Sequence, residues 1–140
     1  MSSQFTQYDP GRVALICFGI EITGFHSDEF IKCSRNADTW KHEKGGQGDG
    51  VRTRNRDKSG TIVFTLQSTS PANQLLLALA NLDEATGRGS GPCLGKDLDG
   101  KGLIQCDNGW ILKPADLTWA DEHSPREWTV FCDELEFVPQ

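Results

Sequence analysis

Thr61-Ile-Val-Phe-Thr-Leu66 and, just beyond it, Ser70-Pro-Ala-Asn-Gln-Leu-Leu-Leu-Ala-Leu-Ala-Asn-Leu-Asp83 decide the fold class. The first stretch alternates strictly, with Ile62, Phe64 and Leu66 on one face and Thr61, Val63 and Thr65 on the other, the pattern of a half-buried strand. The second predicts the chain's one helix. Ser70 stands at the N-cap, Pro71 at the first helical position, and leucines at 75, 76, 79 and 82 follow helical spacing. Leu75, Leu79 and Leu82 are expected to face a sheet.

Around these two elements the sequence is β-like throughout. Arg12-Val-Ala-Leu-Ile-Cys-Phe18 is a continuous apolar run expected to be buried on both faces, with Ile20-Glu-Ile22 extending it beyond Gly19. Phe30 to Arg35 reads as a second strand. Thr39 to Lys44 and Val51 to Lys58 flank the glycine-rich tip Gly45-Gly-Gln-Gly-Asp-Gly50 as a long exposed hairpin. After the helix, Gly87-Arg-Gly-Ser-Gly-Pro92 reads as a flexible connector. Short strands resume around Leu94, Leu103-Ile104, Trp110-Ile-Leu112 and Trp119, with Asp97-Leu-Asp-Gly100 as a turn, and Glu127 to Asp133 and Glu134 to Val138 close the chain. The expectation is a mainly β protomer, a β-barrel or two-sheet sandwich of about seven or eight short strands, with one flanking α-helix and a long extended hairpin. A doubly wound parallel sheet is excluded, because it would need helices alternating with strands.

The 140 residues fit one domain over 1–140. Twenty acidic residues against fourteen basic ones give a net charge of −6, which disfavours tight binding of nucleic acid. No apolar run approaches the ~18 residues of a membrane span. The N-terminal residues Met1 to Tyr8 lack the basic and apolar regions of a secretory signal, so the chain is expected to be made in a cytosol.

No motif carries chemistry. Cys17, Cys33, Cys93, Cys106 and Cys132 are widely spread without a C-x-x-C pair, and His26, His42 and His123 are scattered, so neither a disulfide framework nor a zinc site is expected. Cys17, Cys33 and Cys132 read as small core hydrophobes. The glycines of 87–92 follow a helix and lack the Lys-Ser/Thr of a phosphate loop, and Asp97-Leu-Asp-Gly100 lacks the later ligands of a calcium loop. Adjacent carboxylates such as Asp121-Glu122 and Asp133-Glu134 read as solvated surface. Trp40, Trp110, Trp119 and Trp128 lie in β-like segments, where tryptophan is a core or interface anchor more often than a ligand platform. The reading is therefore no enzyme, no cofactor and no metal.

Charge placement is informative instead. Residues 36–60 hold six basic and four acidic residues, whereas the other 115 hold eight basic against sixteen acidic. Arg52, Arg54, Arg56 and Lys58 recur at every second position, so an extended arm would project all four from one face. Residues 116–140, with seven acidic residues and one arginine, offer a complement. Three readings stand: pairing within the chain, a solvated face, or docking of the arm on the acidic surface of another copy.

Tyr8-Asp-Pro-Gly-Arg-Val13, Phe18-Gly-Ile-Glu-Ile-Thr-Gly-Phe25, Arg52 to Thr61, Thr69-Ser-Pro-Ala-Asn73, Leu82-Asp-Glu-Ala-Thr-Gly87 and Ser124-Pro-Arg-Glu-Trp128 together resemble the tail tube proteins of contractile-tailed bacteriophages, over essentially the whole chain. The five cysteines depart from that pattern. The resemblance implies a virion tail protein, assembled in the host cytoplasm, whose protomers form six-fold rings that stack into a hollow tube like the ring protein of type VI secretion machines. Its partners would be further copies of itself, the sheath, the baseplate and the tail terminator, with double-stranded DNA passing through unbound.

Matched onto this sequence, the resemblance makes the hairpin from Thr39 to Lys58 the ring-stacking arm, with Lys44, Gln47, Asp49, Arg52, Arg54, Arg56 and Lys58 as interface residues. Thr61, Val63 and Thr65 become the candidates for the face of an acidic lumen, with the reverse assignment, Ile62, Phe64 and Leu66 toward the lumen, left open. The alternatives are another tail-fibre or baseplate protein, and a lectin-like carbohydrate-binding β-sandwich.

Overall fold

The computed structural model describes residues 13–23, 25, 31–97, 102–118 and 124–139. The expectations for Tyr8 to Arg12, His26, Phe30, the 98–100 turn, Trp119, Asp121-Glu122 and His123 lie outside the described residues. The described chain runs β1 (Val13–Cys17), β2 (Ile20–Ile22), β3 (Ile31–Arg35), β4 (Trp40–Lys44), β5 (Gly50–Arg54), β6 (Gly60–Leu66), α1 (Ala72–Thr86), β7 (Gly91–Asp97), β8 (Leu103–Ile111), β9 (Arg126–Cys132) and β10 (Glu136–Val138). It is mainly β with one helix.

Eight strands form one antiparallel sheet in the order β2-β1-β7-β8-β9-β6-β3, with β10 also paired to β8, while β4 and β5 make a separate two-stranded sheet. The large sheet is not closed into a barrel. Its curl brings Phe25, just after β2, into a single bridge with Leu66 at the end of β6. The segment leading into α1 occupies the gap: the Ser70 hydroxyl donates to the Thr23 carbonyl (2.5 Å) and the Asn73 amide to the Gln67 carbonyl (2.8 Å).

Three readings of the first half change in three dimensions. Ile20-Glu-Ile22 does not prolong the first strand but returns beside it, since Phe18 (φ 58°) and Gly19 (φ 78°) make a two-residue turn that pairs Cys17 with Ile20. β1 is buried on one face only: Leu15 and Cys17 are inside, and Ile16 is 40% exposed. In α1 the buried residues are Ala72, Asn73, Leu76 and Ala80, while Leu75 and Leu82 are exposed and Leu79 only packs against the core's margin. The core selects the helix face bearing two alanines and an asparagine, because the helix must approach the sheet closely and satisfy a buried polar partner there.

The helix ends also differ. Pro71 occupies the N-cap, with Ser70 one residue earlier accepting the Ala72 N–H (3.3 Å), and the helix continues past Asp83 to Thr86, where Gly87 caps it at φ 71°. Gly89 is anchored, not loose: it is buried and its N–H donates to the Asp83 carboxylate (2.9 Å). Gly91 and Pro92 already belong to β7.

The runs at Leu103-Ile104 and Trp110-Ile111 are one nine-residue strand, β8. Its first half lies between β7 and β10, and its second half pairs with β9. β6 alternates as its sequence predicts, with Ile62, Phe64 and Leu66 fully buried and Thr61, Val63 and Thr65 half-exposed on the other face.

Candidate functional site

All described residues from Trp40 to Asp57 are exposed, so β4 and β5 form a ribbon standing clear of the core. Its tip closes through the Gly45 N–H to the Asp49 carbonyl (2.7 Å) and the Gly48 N–H to the Gly45 carbonyl (3.0 Å), Gly48 supplying a φ of 85°. Its base is stitched to the large sheet. Asn36 N–H donates to the Ser59 carbonyl (3.0 Å), the Thr61 hydroxyl to Asn36 Oδ1 (2.8 Å), and Leu135 N–H to the Lys58 carbonyl (2.9 Å).

The ribbon's register sorts its side chains. Trp40 pairs with Arg54, His42 with Arg52 and Lys44 with Gly50, and side chains alternate between faces. One face therefore carries Trp40, His42, Lys44, Arg52 and Arg54, and the other Lys41, Glu43, Val51 and Thr53. The strand carboxylate, Glu43, sits on the second face within 3.4 Å of Lys41 Nζ. On the first face, the Arg52 guanidinium lies 3.7 Å from the centre of the Trp40 ring. That stacking fixes both groups in a flat cationic platform.

The four-residue basic stripe expected along the return arm is cut in half. β5 ends at Arg54, after which Asn55 Oδ1 accepts the Asp57 N–H (3.0 Å) and the Asp57 carboxylate accepts the Ser59 N–H (2.9 Å), so Arg56 and Lys58 lie in consecutive side-chain turns. The Ser59 bond holds the exposed Asp57 carboxyl below its ordinary range. Gln47 and Asp49 lie at the exposed tip. Trp40 and His42 were not singled out from the sequence for this face, yet the signal was present: pairing the arms symmetrically about Gln47 places 40 opposite 54 and 42 opposite 52.

Thr61, Val63 and Thr65 share the outer face of the large sheet with Lys32 and Ser34 of β3 and Glu127, Thr129 and Phe131 of β9, their register neighbours. Across β3, β6 and β9 this face carries one cation, Lys32, and one carboxylate, Glu127, so the surface immediately around Thr61, Val63 and Thr65 is near neutral. Trp110 and Phe131 stack beside it with centroids 5.1 Å apart.

The acidic surface lies at the β9–β10 turn. Asp133, Glu134 and Glu136 are exposed there, with Asp107 of β8 also exposed nearby. The fully buried Leu135 anchors the turn, the Asp133 N–H donates to the Asn108 carbonyl (3.0 Å), and Gln105 Nε2 donates to the Glu136 carboxylate (3.0 Å). Among the described residues, neither Asp133 nor Glu134 forms an ion pair with the chain's own Arg54, Arg56 or Lys58.

The cysteines gather in the core. Cys17 pairs in register with Cys93, and Cys93 with Cys106, while Cys132 is electrostatically coupled to both Cys93 and Cys106. All five are free, and four are buried. Burial, then Cys132, pushes Cys33 up to about 11; burial, then the interaction in which its S–H donates toward Cys132, pushes Cys106 up to about 12. The hydrogen bond with Cys93, reinforced by burial, raises Cys132 further. Among the described residues no group of three or more His, Cys, Asp and Glu is arranged to hold a metal ion.

No family model matches the chain. The structural protein ORF10 of Pseudomonas phage KPP10 is 24% identical over 145 residues, covering 98% of this chain and 84% of the relative. Among solved structures, the tube-terminating cap of the anti-feeding prophage superposes with a TM-score of 0.66 at 11% identity, covering 99% of this chain and 97% of the other. The sheath/tube terminator of the extracellular contractile injection system PVC gives 0.67 at 12% identity, covering 97% and 99%. A chain of the PVC sheath-tube complex gives 0.65 at 12%, covering 96% and 93%. This likeness establishes the fold.

Proposed function

We propose that this chain is a structural protein of a contractile tail, not an enzyme, and that it serves as a tube subunit whose hexameric rings stack around a channel for double-stranded DNA. The observation carrying this reading is the end-to-end fold likeness to chains of contractile tube assemblies, joined by the sequence relationship to a phage structural protein.

The fold suits such a role. Among the described residues the large sheet has unpaired edges at β2, β3 and β10, and such edges are an aggregation hazard in a monomer and a pairing surface in a closed ring. The ribbon, with Lys44, Gln47, Asp49, Arg52, Arg54, Arg56 and Lys58, is the arm that contacts the adjacent ring. Thr61, Val63 and Thr65 face the bore. Their surface gives DNA no cluster of cations to grip, and the chain's net −6 keeps a polyanion off nearby walls within a Debye length of about 8 Å. Sheath, baseplate and terminator proteins are the remaining partners, in a virion tail put together in the host cytoplasm.

A second reading has its own support: two of the neighbours are tube-end components, a cap and a terminator. Negative-stain microscopy of the purified protein at high concentration separates the two. Stacked hollow tubes are expected for a tube subunit and single unstacked rings for a terminator. A persistent monomer with affinity for immobilised glycans overturns both in favour of a carbohydrate-binding module.

A further inference from the structure

The tube reading leaves open which surface of one copy receives the ribbon of another. In an inference that rests on that reading, we propose that the basic face of the ribbon, formed by Trp40, His42, Lys44, Arg52 and Arg54, docks on the acidic β9–β10 turn, formed by Asp133, Glu134 and Glu136, of a second copy of this chain.

The ribbon is built with two unlike faces. Its strand carboxylate is turned to the far side and tied to Lys41, which leaves the near face with three full cations and no carboxylate. Trp40 is 45% exposed there, its ring covered on one side by Arg52, so the platform combines charge with apolar area and is already ordered before any partner arrives.

The receiving turn is equally prepared. Leu135 is a fully buried anchor, Gln105 orients Glu136, and among the described residues Asp133 and Glu134 form no ion pair. Two opposite-sign surfaces that stay unpaired within one molecule, though the ribbon base and the turn are joined by the Leu135 to Lys58 hydrogen bond, are each available to a neighbour.

Because donor and acceptor are different surfaces, the contact is head-to-tail and propagates from copy to copy, as a stack requires. A nucleic acid is the poorer occupant. The chain outside 36–60 carries sixteen acidic residues against eight basic, so a polyanion reaching the ribbon meets repulsion from the rest of the molecule.

A charge-swap series tests the contact, read by sedimentation and negative-stain microscopy. R52E/R54E and D133K/E134K are each expected to keep the wild-type melting curve and to lower the assembled fraction at least tenfold. An equal mixture of the two is expected to regain assembly, since the basic ribbon of the second variant meets the acidic turn of the first and the acidic ribbon of the first meets the lysine turn of the second. The combined R52E/R54E/D133K/E134K chain is expected to regain assembly.

R52E/R54E assembling like the wild type, or the combined chain failing to recover, overturns the proposed contact while wild-type tubes keep the tube reading intact. Loss of DNA retention by R52E/R54E with assembly unchanged makes the ribbon a nucleic-acid contact and also overturns it. A wild-type chain that stays monomeric overturns both readings.

Discussion

The indole N–H of Trp128 donates to Oδ1 of Asn73 across 3.0 Å in the core, both residues at most 2% exposed, and this bond locks the first turn of α1 to β9. Asn73 simultaneously donates to the Gln67 carbonyl (2.8 Å), so one side chain satisfies the buried indole and ties the helix start to the end of β6. N73A strands the indole N–H in a dry site, with an expected loss of about 1–3 kcal/mol. A lowered urea midpoint at unchanged slope is the readout; a midpoint within error of wild type would mean the bond contributes nothing.

The face that α1 buries can be read from a pair of leucine variants. Leu76 is fully enclosed, so L76A is expected to cost about 2–5 kcal/mol. Leu75 and Leu82 are half-exposed, and the double variant L75Q/L82Q is expected to change stability by less than about 1 kcal/mol when measured on dilute monomer. Thermal melts of the two variants side by side report which stripe faces the sheet; equal losses would contradict the helix orientation.

Gly60 sits where β6 passes under the β9–β10 turn. A Cβ there would fall 2.6 Å from Leu135 Cβ and 2.9 Å from the Ser34 carbonyl oxygen, closer than a methyl group can sit. G60A is expected to destabilise by about 1–3 kcal/mol through overpacking. Because Leu135 anchors the acidic turn, hydrogen exchange at the Leu135 amide should quicken in this variant, whereas exchange in β7 should not.

The thiols should be silent in the native protein. With Cys33 pushed up to about 11 and Cys106 to about 12, these two hold almost no thiolate at pH 8, and because Cys17, Cys93 and Cys132 are buried from reagent, iodoacetamide should label all five cysteines only in guanidinium. Cys33, the half-buried one, should be labelled first on partial unfolding. The folded state holds the Cys33 proton more tightly than the unfolded chain, whose thiol titrates near 9.0. Stability is therefore full below pH 9 and declines as pH rises from about 9 toward 11. Rapid labelling at pH 8, or a melting temperature that rises over that alkaline range, would contradict the buried cluster.

The mainly β class, the single helix, the alternation of Thr61 to Leu66 and the exposed arms on either side of Gly45 to Gly50 were all legible in the sequence, because each follows from periodicity and turn residues within a few positions. Four features were not. The reversal at Phe18-Gly19 needs a non-glycine residue at positive φ, which local preference argues against. The choice of Asn73, Leu76 and Ala80 over Leu75 and Leu82 as the buried stripe depends on Trp128, 55 residues away along the chain, demanding a hydrogen-bond partner. The gathering of Cys17, Cys93, Cys106 and Cys132 depends on which strands lie side by side, and the open edge of the sheet on what α1 leaves room for. Local chemistry therefore determined the elements, and long-range pairing alone decided their order, the thiol cluster and the separation of the ribbon into a basic and a mixed face, since register between strands exists only once the chain has folded.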